Sequence, residues 1–493
     1  MDRPNVIVIM SDQMKATASH LYGSTFCQTP SLERMANEGV LYKHAVTPHP
    51  LCAPCRISFW TSQFPHSHGG RRNQTLMPGD ATHAFKLWKE AGYKCGLIGK
   101  NHCFEQQSDL DLFDVWCEIS HGGLPGDATT KGMDWFRPIE SINQAHTVRK
   151  NLPHDTPQFA YGTSDFTLQD YSTGLVAGQT VQFLEEFGND PFALWVSIPD
   201  PHTPYECPEK YAIAPEDVDM PPWREDEFSD GTAAERNKVL HAMIGVEDDP
   251  IEDVQACVGV YHGMVRFIDD GVGQILDALD RLNLRENTIV IFCADHGDFS
   301  GEHGQIAKGG AFYDCLTRVP LIASWPGHIA AGVVDESCVN LIDIVPTVLQ
   351  LQGIEVPRSM HGEGLPHATD AEPRDCAFSE YGAGGPAFTM AHLQQVEKPW
   401  GRKAVFASLQ AREAEGRRKM VRTPEWKYVH DPMGDKDELY DLVNDPWELY
   451  NVNDDADHRA IVADLQLKLA DWSIRLEDAK PVPLPLRESV DPA

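Results

Sequence analysis

The chain has 493 residues, of which 42% are hydrophobic and 23% charged, an ordinary composition for a globular protein with room for one large domain and a smaller one. Its net charge of −33 argues against nucleic acid and against an anionic membrane surface as general partners. No apolar run approaches the roughly 20 residues of a membrane span, and the twelve scattered cysteines do not form a disulfide pattern.

The first residues lead directly into the apolar segment 5–10, without the pattern of a secretory signal. We therefore expect a cytoplasmic protein, although a chain trimmed before this segment would look the same. The acidity also implies that an anionic substrate is attracted by a local group of cations, because the average surface repels it. The sequence leaves the oligomeric state open, a homo-oligomer included.

Apolar β-branched runs alternate with amphipathic segments through most of the chain. Residues 5–10 have the pattern of a strand buried on both faces. Thr29-Pro30 starts a helix that ends near residue 38, with a capping hydroxyl and a proline at the first position. Further strands are predicted at 93–98, 192–198, 288–293 and 319–325, and further helices at 82–92, 173–187, 251–282 and 343–352. The alternation predicts an α/β fold with a large mixed, mostly parallel sheet sandwiched by helices.

The pattern changes after about residue 370. Short runs at 376–381, 405–409, 419–423 and 426–430, separated by turn signals, predict a smaller antiparallel sheet, and 456–476 predicts a closing amphipathic helix. We therefore predict a main α/β domain over residues 1–370 and a smaller C-terminal α+β subdomain over residues 371–493.

The segment 52–56, Cys-Ala-Pro-Cys-Arg, has the spacing C-x-P-x-R. Enzymes that oxidise a cysteine to formylglycine read this spacing, and the hydrated aldehyde is an oxygen nucleophile. Cys52 and Cys55 also form a C-x-x-C, as in a redox pair or half of a zinc site. However, no second C-x-x-C is present, and the His/Pro-rich segment 47–50 is unlike the strand that precedes a redox motif. The formylglycine interpretation is therefore favoured.

Two predicted buried strands are followed by possible metal ligands. Asp12 and Gln13 follow the first strand, and Asp295 and His296 follow the strand at 288–293. Ligands of open α/β sheets bind at the carboxyl ends of the strands, and two carboxylates, an amide oxygen and an imidazole suit a hard or borderline divalent ion. Taken alone, an aspartate at a strand end is usually a turn or capping residue. Their occurrence at two strand ends, together with Cys52, favours a metal site.

Several cationic residues occupy similar positions. Lys100 and His102 follow the strand at 93–98, His202 follows the strand at 192–198, Lys308 lies beyond the Asp-His pair, and Arg56 is part of the cysteine motif. Lysines are mostly solvated surface groups, and with 21 histidines in the chain most cannot be functional. What distinguishes His102 and His202 is their position just after buried strands.

In chain order, these segments resemble those of type I sulfatases, which belong to the alkaline phosphatase superfamily. The matching segments are 12–13, 52–56, 99–102, 202–204, 295–297, 318–320, 343–347, 427–428 and 438–442. The resemblance covers nearly the whole chain. It implies a large catalytic α/β domain with a small C-terminal sheet, and hydrolysis of an organic sulfate monoester to an alcohol and inorganic sulfate.

The resemblance also implies a cofactor set and two kinds of partner. Cys52 would be converted to formylglycine by a formylglycine-generating enzyme, and the substrate would be a small-molecule or carbohydrate sulfate ester. Residue 52 would share one divalent metal ion, typically calcium in this family, with four further ligands: Asp12, Gln13, Asp295 and His296.

The same resemblance assigns catalytic roles by position. Arg56 and Lys100 would stabilise the diol and the charge that develops on it. His102 would abstract a proton from the diol when the covalently bound sulfate is eliminated. His202 and Lys308 would bind the sulfuryl oxygens and assist the leaving oxygen. Histidines suit such proton transfers because they titrate near neutral pH.

Two residues depart from the commonest sulfatase pattern. Many sulfatases have a second aspartate in place of Gln13 and an asparagine in place of His296. The Gln and His versions are shared with choline sulfatases and phosphonate monoester hydrolases, and imidazole suits manganese or zinc better than calcium. A phosphonate monoester or phosphodiester hydrolase with the same site is therefore the alternative enzyme, although such hydrolases tend to lose the residues that stand here as Lys100 and His102.

The sequence leaves four further points open. A non-catalytic binding protein on a sulfatase scaffold is the hypothesis from another class, and retention of every candidate group argues against it. Asn73 is either a polar contact of the site or a turn residue, and no role for Cys55 follows from its pattern.

Specificity is expected in residues 103–170, 205–250 and 382–418. The acidic segments 225–227 and 247–249 would tolerate a cationic group such as choline, or form a solvated surface.

Overall fold

A computed structural model of the chain describes residues 3–121, 123–124, 130–152, 160–385, 387–397 and 416–477, which form fifteen β-strands and thirteen α-helices. The strands are β1 (Asn5–Ser11), β2 (Gly39–Val46), β3 (Lys94–Gly99), β4 (Val115–Glu118), β5 (Thr130–Lys131), β6 (Tyr161–Ser164), β7 (Phe192–Ile198), β8 (Tyr205–Pro208), β9 (Thr288–Ala294), β10 (Leu321–Ser324), β11 (Val333–Asn340), β12 (Ala377–Tyr381), β13 (Arg418–Arg422), β14 (Trp426–His430) and β15 (Glu438–Asp441). The helices are α1 (Pro30–Asn37), α2 (Cys52–Thr61), α3 (Pro65–His68), α4 (Ala84–Glu90), α5 (Gln107–Leu110), α6 (Glu140–Lys150), α7 (Ser172–Phe187), α8 (Glu235–Ile244), α9 (Ile251–Arg281), α10 (Asp314–Thr317), α11 (Ile344–Leu351), α12 (Met390–Leu393) and α13 (Arg459–Arg475).

Nine strands form the main sheet in the order β11-β2-β10-β9-β1-β7-β3-β4-β5. β1 pairs in parallel with β9 and β7, and β3 pairs in parallel with β7 and β4. β10 is antiparallel to both of its neighbours, and β5 is antiparallel to β4. Every residue of β1, β7 and β9 is buried, as expected for strands covered by helices on both faces. The predicted mixed, mostly parallel sheet is confirmed.

The second sheet is antiparallel, with four strands in the order β12-β13-β14-β15. Helix α13 packs against it through Leu465, Leu469 and Trp472. The small C-terminal sheet and its closing helix are therefore confirmed, whereas the predicted strand at 405–409 lies outside the described residues. The division into domains at residue 370 stays a prediction, and a buried cluster that includes Val46 and Met420 joins the two predicted parts.

The sequence patterns missed four strands of the main sheet: β2, β11 and the short strands β4 and β5. β2 and β11 pair with each other in parallel at one side of the sheet. Lys43 and His44 interrupt the apolar run of β2, and in the edge strand β11 only one of the first five residues is buried. A continuous apolar run is the signal of a central strand, so neither segment shows it.

Helix α1 begins where predicted, but the cap is a different residue. The Thr29 hydroxyl makes no capping hydrogen bond and lies 2.6 Å from the Ser19 hydroxyl. The backbone N–H groups of Ser31 and Leu32 instead donate to the Asp269 carboxylate of α9, at 2.9 and 2.8 Å. The expectation of a local hydroxyl cap was wrong, because a carboxylate distant in sequence satisfies these donors.

None of the described helices combines the length and the apolar character that crossing a membrane requires.

A buried ionic network connects the C-terminal sheet with the segment between β9 and β10. The Lys427 ammonium of β14 lies 2.6 Å from an Asp314 oxygen and 2.5 Å from a Glu448 oxygen, and donates to the Phe312 carbonyl at 2.8 Å. Arg422 of β13 forms two further ion-pair contacts with Asp314 at 3.0 and 2.9 Å. Because Lys427 is fully buried, removing its charge would leave carboxylates with too few partners in a medium that solvates them poorly.

We predict that Lys427→Met lowers the free energy of unfolding by about 3–5 kcal/mol, the usual cost of breaking a buried ion pair on one side. The matched control is Lys468→Met, since Lys468 pairs with Asp375 at 2.6 Å but on the exposed surface. That change should cost less than about 1 kcal/mol. Urea unfolding of both variants measures the difference, and equal shifts would contradict the structural role of Lys427.

Candidate active site

The predicted site residues come together at one edge of the main sheet. This edge is formed by the carboxyl ends of the parallel strands, where Ser11 of β1 lies beside Ala294 of β9 and Ile198 of β7. The strand ends carry Asp12 and Gln13 after β1, Lys100 and His102 after β3, His202 after β7, and Asp295 and His296 after β9. The loop after β2 leads to Cys52, and the loop after β9 carries Lys308. The position matches the rule for ligand sites in open α/β sheets.

A glycine allows the chain to turn at the end of β3. Gly99 has φ +112°, and a Cβ there would lie 1.9 Å from the Ser197 carbonyl oxygen. The next residue, Lys100, donates its backbone N–H to the same oxygen at 2.8 Å. Only glycine fits this close approach, and the turn directs the Lys100 side chain back to the Asp12 carboxylate.

Cys52 is the first residue of α2, a helix in which all ten residues are buried. Its Sγ lies 2.9 Å from Lys308 Nζ, 3.1 Å from His296 Nε2 and 3.6 Å from Asp12 Oδ1. Asn73 accepts a hydrogen bond from the Ala53 N–H at 3.1 Å and therefore lies at the same helix start. A helix N-terminus carries partial positive charge, so Cys52 occupies an electropositive position.

Four side chains around Cys52 could hold a metal ion. One ligand atom from each of Asp12, Cys52, Asp295 and His296 lies within 4.8 Å of the other three, and all four residues are buried. His296 Nδ1 lies 3.0 Å from the Gly297 carbonyl oxygen. Donation to that oxygen fixes the tautomer and leaves the Nε2 lone pair for a ligand.

The orientation of Gln13 tests whether the site suits a cation. Gln13 Nε2 donates to Asp298 Oδ2 at 2.5 Å. Its Oε1 is buried and accepts no hydrogen bond from any residue within the described ranges. A buried polar atom without a partner requires an explanation, and an amide oxygen is a good ligand for a divalent ion. The residues present fit such an ion.

Arg56 connects the two carboxylates of this group. Its Nη2 lies 3.0 Å from Asp12 Oδ2, and its Nε lies 3.0 Å from Asp295 Oδ2. The guanidinium also donates to Ser197 Oγ at 2.8 Å and to the Lys100 carbonyl at 3.0 Å. Although burial and Cys52 raise the pKa of Asp12, its neighbours Lys100, His202 and Arg56 hold it well below the usual range.

The local field also acts on the Cys52 thiol. Burial raises its pKa, but the charges of Lys100, Lys308 and His296 outweigh burial and hold the pKa well below the usual value. The pKa of Lys308 is raised, because the negative charges of Cys52, Asp12 and Asp295 outweigh the effect of burial. At neutral pH the structure therefore favours a negative atom at position 52 facing a protonated lysine.

Two further histidines, His102 after β3 and His202 after β7, lie near Cys52 in addition to His296. Against the effect of burial, His102 lowers the pKa of the Cys52 thiol, and Cys52 acts to raise the pKa of His202, so both histidines act electrostatically on this position. Burial and the charge of Lys308 lower the pKa of His202 to about 4. His121 stacks on His202 with ring centroids 4.0 Å apart. His121 was missed by sequence reasoning because it follows β4, a short strand of which only alternate residues are buried.

Cys55 lies one helical turn from Cys52 but in a different environment. It belongs to the main hydrophobic core, and Thr47 Oγ1 donates to its sulfur at 3.2 Å. Burial raises its pKa well above the usual value, so it stays a protonated thiol. Among the described residues, the one group of potential metal ligands contains Cys52 and not Cys55. The geometry therefore gives no support to a C-x-x-C zinc site.

Comparisons with known proteins extend over most of the chain. A family model described as Sulfatase matches residues 4–354. The chain is 27% identical over 512 residues to a choline-sulfatase of Rhizobium meliloti, with 97% of this chain and 88% of that protein covered. It is 29% identical over 406 residues to an arylsulfatase of Clostridium perfringens, with 78% and 82% covered.

Solved structures show the same fold. A phosphonate monoester hydrolase of Agrobacterium radiobacter superposes with a TM-score of 0.76 at 24% identity, over 96% of each chain. A protein solved in complex with its substrate D-glucosamine-2-N,6-O-disulfate superposes with a TM-score of 0.71 at 22% identity, over 97% of this chain and 99% of that one. At these identities the likeness concerns the architecture.

We predict that unmodified Cys52 is a thiolate at neutral pH, whereas the thiols of the other eleven cysteines stay protonated because burial raises their pKa. Because the folded pKa of Cys52 is lowered, its thiolate stabilises the folded state fully above the unfolded pKa of about 8.5, and this contribution is lost as the pH falls through the folded pKa. Thiolate absorbance of metal-free protein from a host without the maturation enzyme measures the charge, with Cys52→Ser as the control. Equal absorbance of the two proteins at neutral pH would contradict the prediction.

Proposed function

The chain belongs to the sulfatase family and is a sulfuric ester hydrolase, and from this premise we propose that it hydrolyses an organic sulfate monoester through a formylglycine formed from Cys52. The observation that carries the proposal is the position of Cys52. Its sulfur lies at the start of a buried helix, within 4.8 Å of ligand atoms from two carboxylates and an imidazole, and 2.9 Å from a lysine ammonium.

In the mature protein, a hydroxyl oxygen of the hydrated aldehyde would stand where the Cys52 Sγ stands. That oxygen would lose its proton and attack the sulfur of the substrate, and the bond from sulfur to the alcohol oxygen would break. The departing alcohol oxygen would take its proton from Lys308 or His202. The proton lost by the diol balances the one that the departing alcohol oxygen gains. Lys308 Nζ lies 2.9 Å from the Cys52 sulfur, and Cys52 acts on the pKa of His202, which supports their assignment to this step.

The second step releases sulfate. His102 takes the proton of the other diol hydroxyl, the bond from carbon to the sulfate oxygen breaks, and the aldehyde is regenerated for hydration by water. Dividing the displacement into two steps makes each one easier. Lys100 and Arg56 offset the negative charge at the diol, and because both are buried with their partners, their fields act without reorganisation of solvent.

A divalent cation would be held by residue 52 and by Asp12, Gln13, Asp295 and His296, and it would supply positive charge beside the attacking oxygen. We propose calcium, the usual ion of the family. Manganese and zinc are the alternatives that the imidazole of His296 favours. The oxygen ligands outnumber the nitrogen ligand, which supports the harder ion.

The proposed substrate is a small-molecule or carbohydrate sulfate ester, because the names of the relatives include choline-sulfatase and N-acetylglucosamine-6-O-sulfatase. The acidic segments give little guidance on this point. Glu227 of the first segment is buried and pairs with His303 at 2.7 Å, and Glu247 of the second pairs with His241 at 2.5 Å. These two carboxylates serve internal contacts, so the idea that they receive a cationic substrate group is weakened.

We predict an aldehyde at position 52 in protein from a host that contains a formylglycine-generating enzyme. Trypsin cleaves after Lys43 and Arg56 and releases the peptide 44–56, which contains Cys52 and Cys55. After reduction and alkylation, the mature peptide should carry one alkyl group, on Cys55, and the mass loss of a thiol converted to an aldehyde. Protein from a host without the maturation enzyme is the control and should carry two alkyl groups. Full activity with two alkylatable cysteines would overturn the nucleophile.

We predict that the mature enzyme hydrolyses an aryl sulfate with a higher kcat/KM than the matched aryl phosphonate monoester. Lys100 and His102, the two residues that phosphonate hydrolases tend to lose, both contact the site here. Cys52→Ala should lower kcat by about 10³-fold or more, whereas Cys55→Ser, the matched change one turn away, should keep most of the activity. Faster phosphonate turnover would favour the alternative enzyme, and binding of sulfate esters without turnover would favour a binding protein.

A further inference from the structure

The loop that carries His202 has few means of bracing itself. It runs from Pro199 to Pro204 between β7 and β8 and contains three prolines, which lack a backbone N–H. His202 Nδ1 lies 2.7 Å from the Thr203 carbonyl oxygen, so donation there leaves Nε2 as the ring atom available to the reaction. The imidazole can serve the leaving oxygen only if the loop is held against the site.

Arg149, near the end of α6, supplies the missing donors. Its Nη1 lies 2.7 Å from Asp200 Oδ1, its Nε donates to the Pro204 carbonyl at 2.7 Å, and its Nη2 donates to the His202 carbonyl. All three guanidinium nitrogens are thereby engaged by one loop of six residues. The planar guanidinium group of an arginine can donate to several acceptors at once in a fixed geometry, whereas the single ammonium of a lysine cannot.

The carboxylate that pairs with Arg149 is tied to the rest of the site. Asp200 Oδ2 accepts a hydrogen bond from Thr173 Oγ1 at 2.6 Å, and the Asp200 carbonyl accepts from Ser11 Oγ at 2.9 Å and from the Asp12 N–H at 3.2 Å. The Arg149 and Asp200 side chains are 2% and 0% exposed. Because a buried charge needs a close partner, this pair fixes α6, the His202 loop and the end of β1 relative to one another.

We propose that Arg149 is a positioning residue for His202. It holds the His202 backbone so that the free Nε2 faces the atom at position 52, and it contacts neither substrate nor metal because its donors are occupied by the loop. The inference rests on the proposed function, in which His202 assists the departing alcohol oxygen. Loss of the hydrogen bonds from Arg149 to the His202 loop, which we call the Arg149 clamp, should therefore slow that step more than it weakens substrate binding.

A series of sulfate esters with alcohols of different acidity tests the proposal. Arg149→Met should lower kcat/KM by about 10²-fold for an alkyl sulfate, which depends on proton transfer to its leaving oxygen. For 4-nitrophenyl sulfate, whose leaving group needs little assistance, the loss should be tenfold smaller or less. Lys150→Met is the matched control, since Lys150 is the next residue of α6 and exposed, and it should leave both rates unchanged.

Two further variants separate positioning from a general loss of structure. His202→Asn should show the same dependence on the leaving group, and Arg149→Met added to His202→Asn should lower the rates no further, because the clamp then has nothing to position. Arg149→Lys, which can meet one of the three acceptors, should give a smaller loss of the same kind. It also serves as the test if Arg149→Met does not fold.

The proposal would be overturned if Arg149→Met lowered kcat/KM equally for all leaving groups. It would also be overturned if the loss from Arg149→Met added to the loss from His202→Asn in the double variant. Failure of the proposed function looks different, because the wild-type protein would then hydrolyse aryl phosphonates and not aryl sulfates. In that case the same series of variants, measured on phosphonate esters of different leaving groups, decides whether Arg149 positions His202.

Discussion

The site depends on the two ion pairs that Arg56 makes with Asp12 and Asp295. The carboxylates follow neighbouring strands, and all three side chains are fully buried, so without a cation between them the negative charges would repel each other where water cannot screen them. Arg56 pairs with the Oδ2 atom of each carboxylate. Asp12 Oδ1 then lies near the Cys52 sulfur, and Asp295 Oδ1 accepts a hydrogen bond from the Gln13 N–H. Arg56 lies four residues after Cys52 on α2, one helical turn away. The residue that pairs the carboxylates therefore also fixes the position of Cys52, the proposed nucleophile, which gives the C-x-P-x-R spacing a structural reason beside its proposed role in maturation.

This arrangement explains how a strongly acidic chain can act on an anion. The net charge is −33, yet Arg56, Lys100 and Lys308 converge on one point at the start of a buried helix. Salt and water screen the negative charges of the surface over distance, whereas the buried cations act on a bound anion at short range. The local positive field therefore prevails inside the site. The lowered pKa of Cys52 reports the sign of this field. The same field favours an oxygen nucleophile and the developing charge on a sulfuryl group.

Much of this could be predicted from the sequence because the site follows continuous apolar strands. Asp12, His202 and Asp295 each follow a strand with no exposed residue, and such strands are readily recognised. The sequence could not reveal features that depend on contacts between distant segments. β2 and β11 were missed because polar residues interrupt them, His121 because its strand is short and half-buried, and Cys55 was left without a role until the structure placed it in the core. The capping of α1 by Asp269 was missed for the same reason, because Asp269 is distant in sequence from α1 and comes near it only in the folded chain.

The loops after β3 and β7 show why some parts of a site need support from outside. The loop after β3 is braced locally, because Asn101 Oδ1 accepts from the Phe104 N–H at 2.8 Å and its Nδ2 donates to the Phe104 carbonyl at 2.6 Å. A single side chain thus holds the segment that carries Lys100 and His102. The loop after β7 offers no comparable donors at its three prolines, so a guanidinium from α6 provides them. Helix α6 lies in a segment expected to determine specificity. Sequence changes in that segment are therefore compatible with the proposed role of His202 only if they keep Arg149.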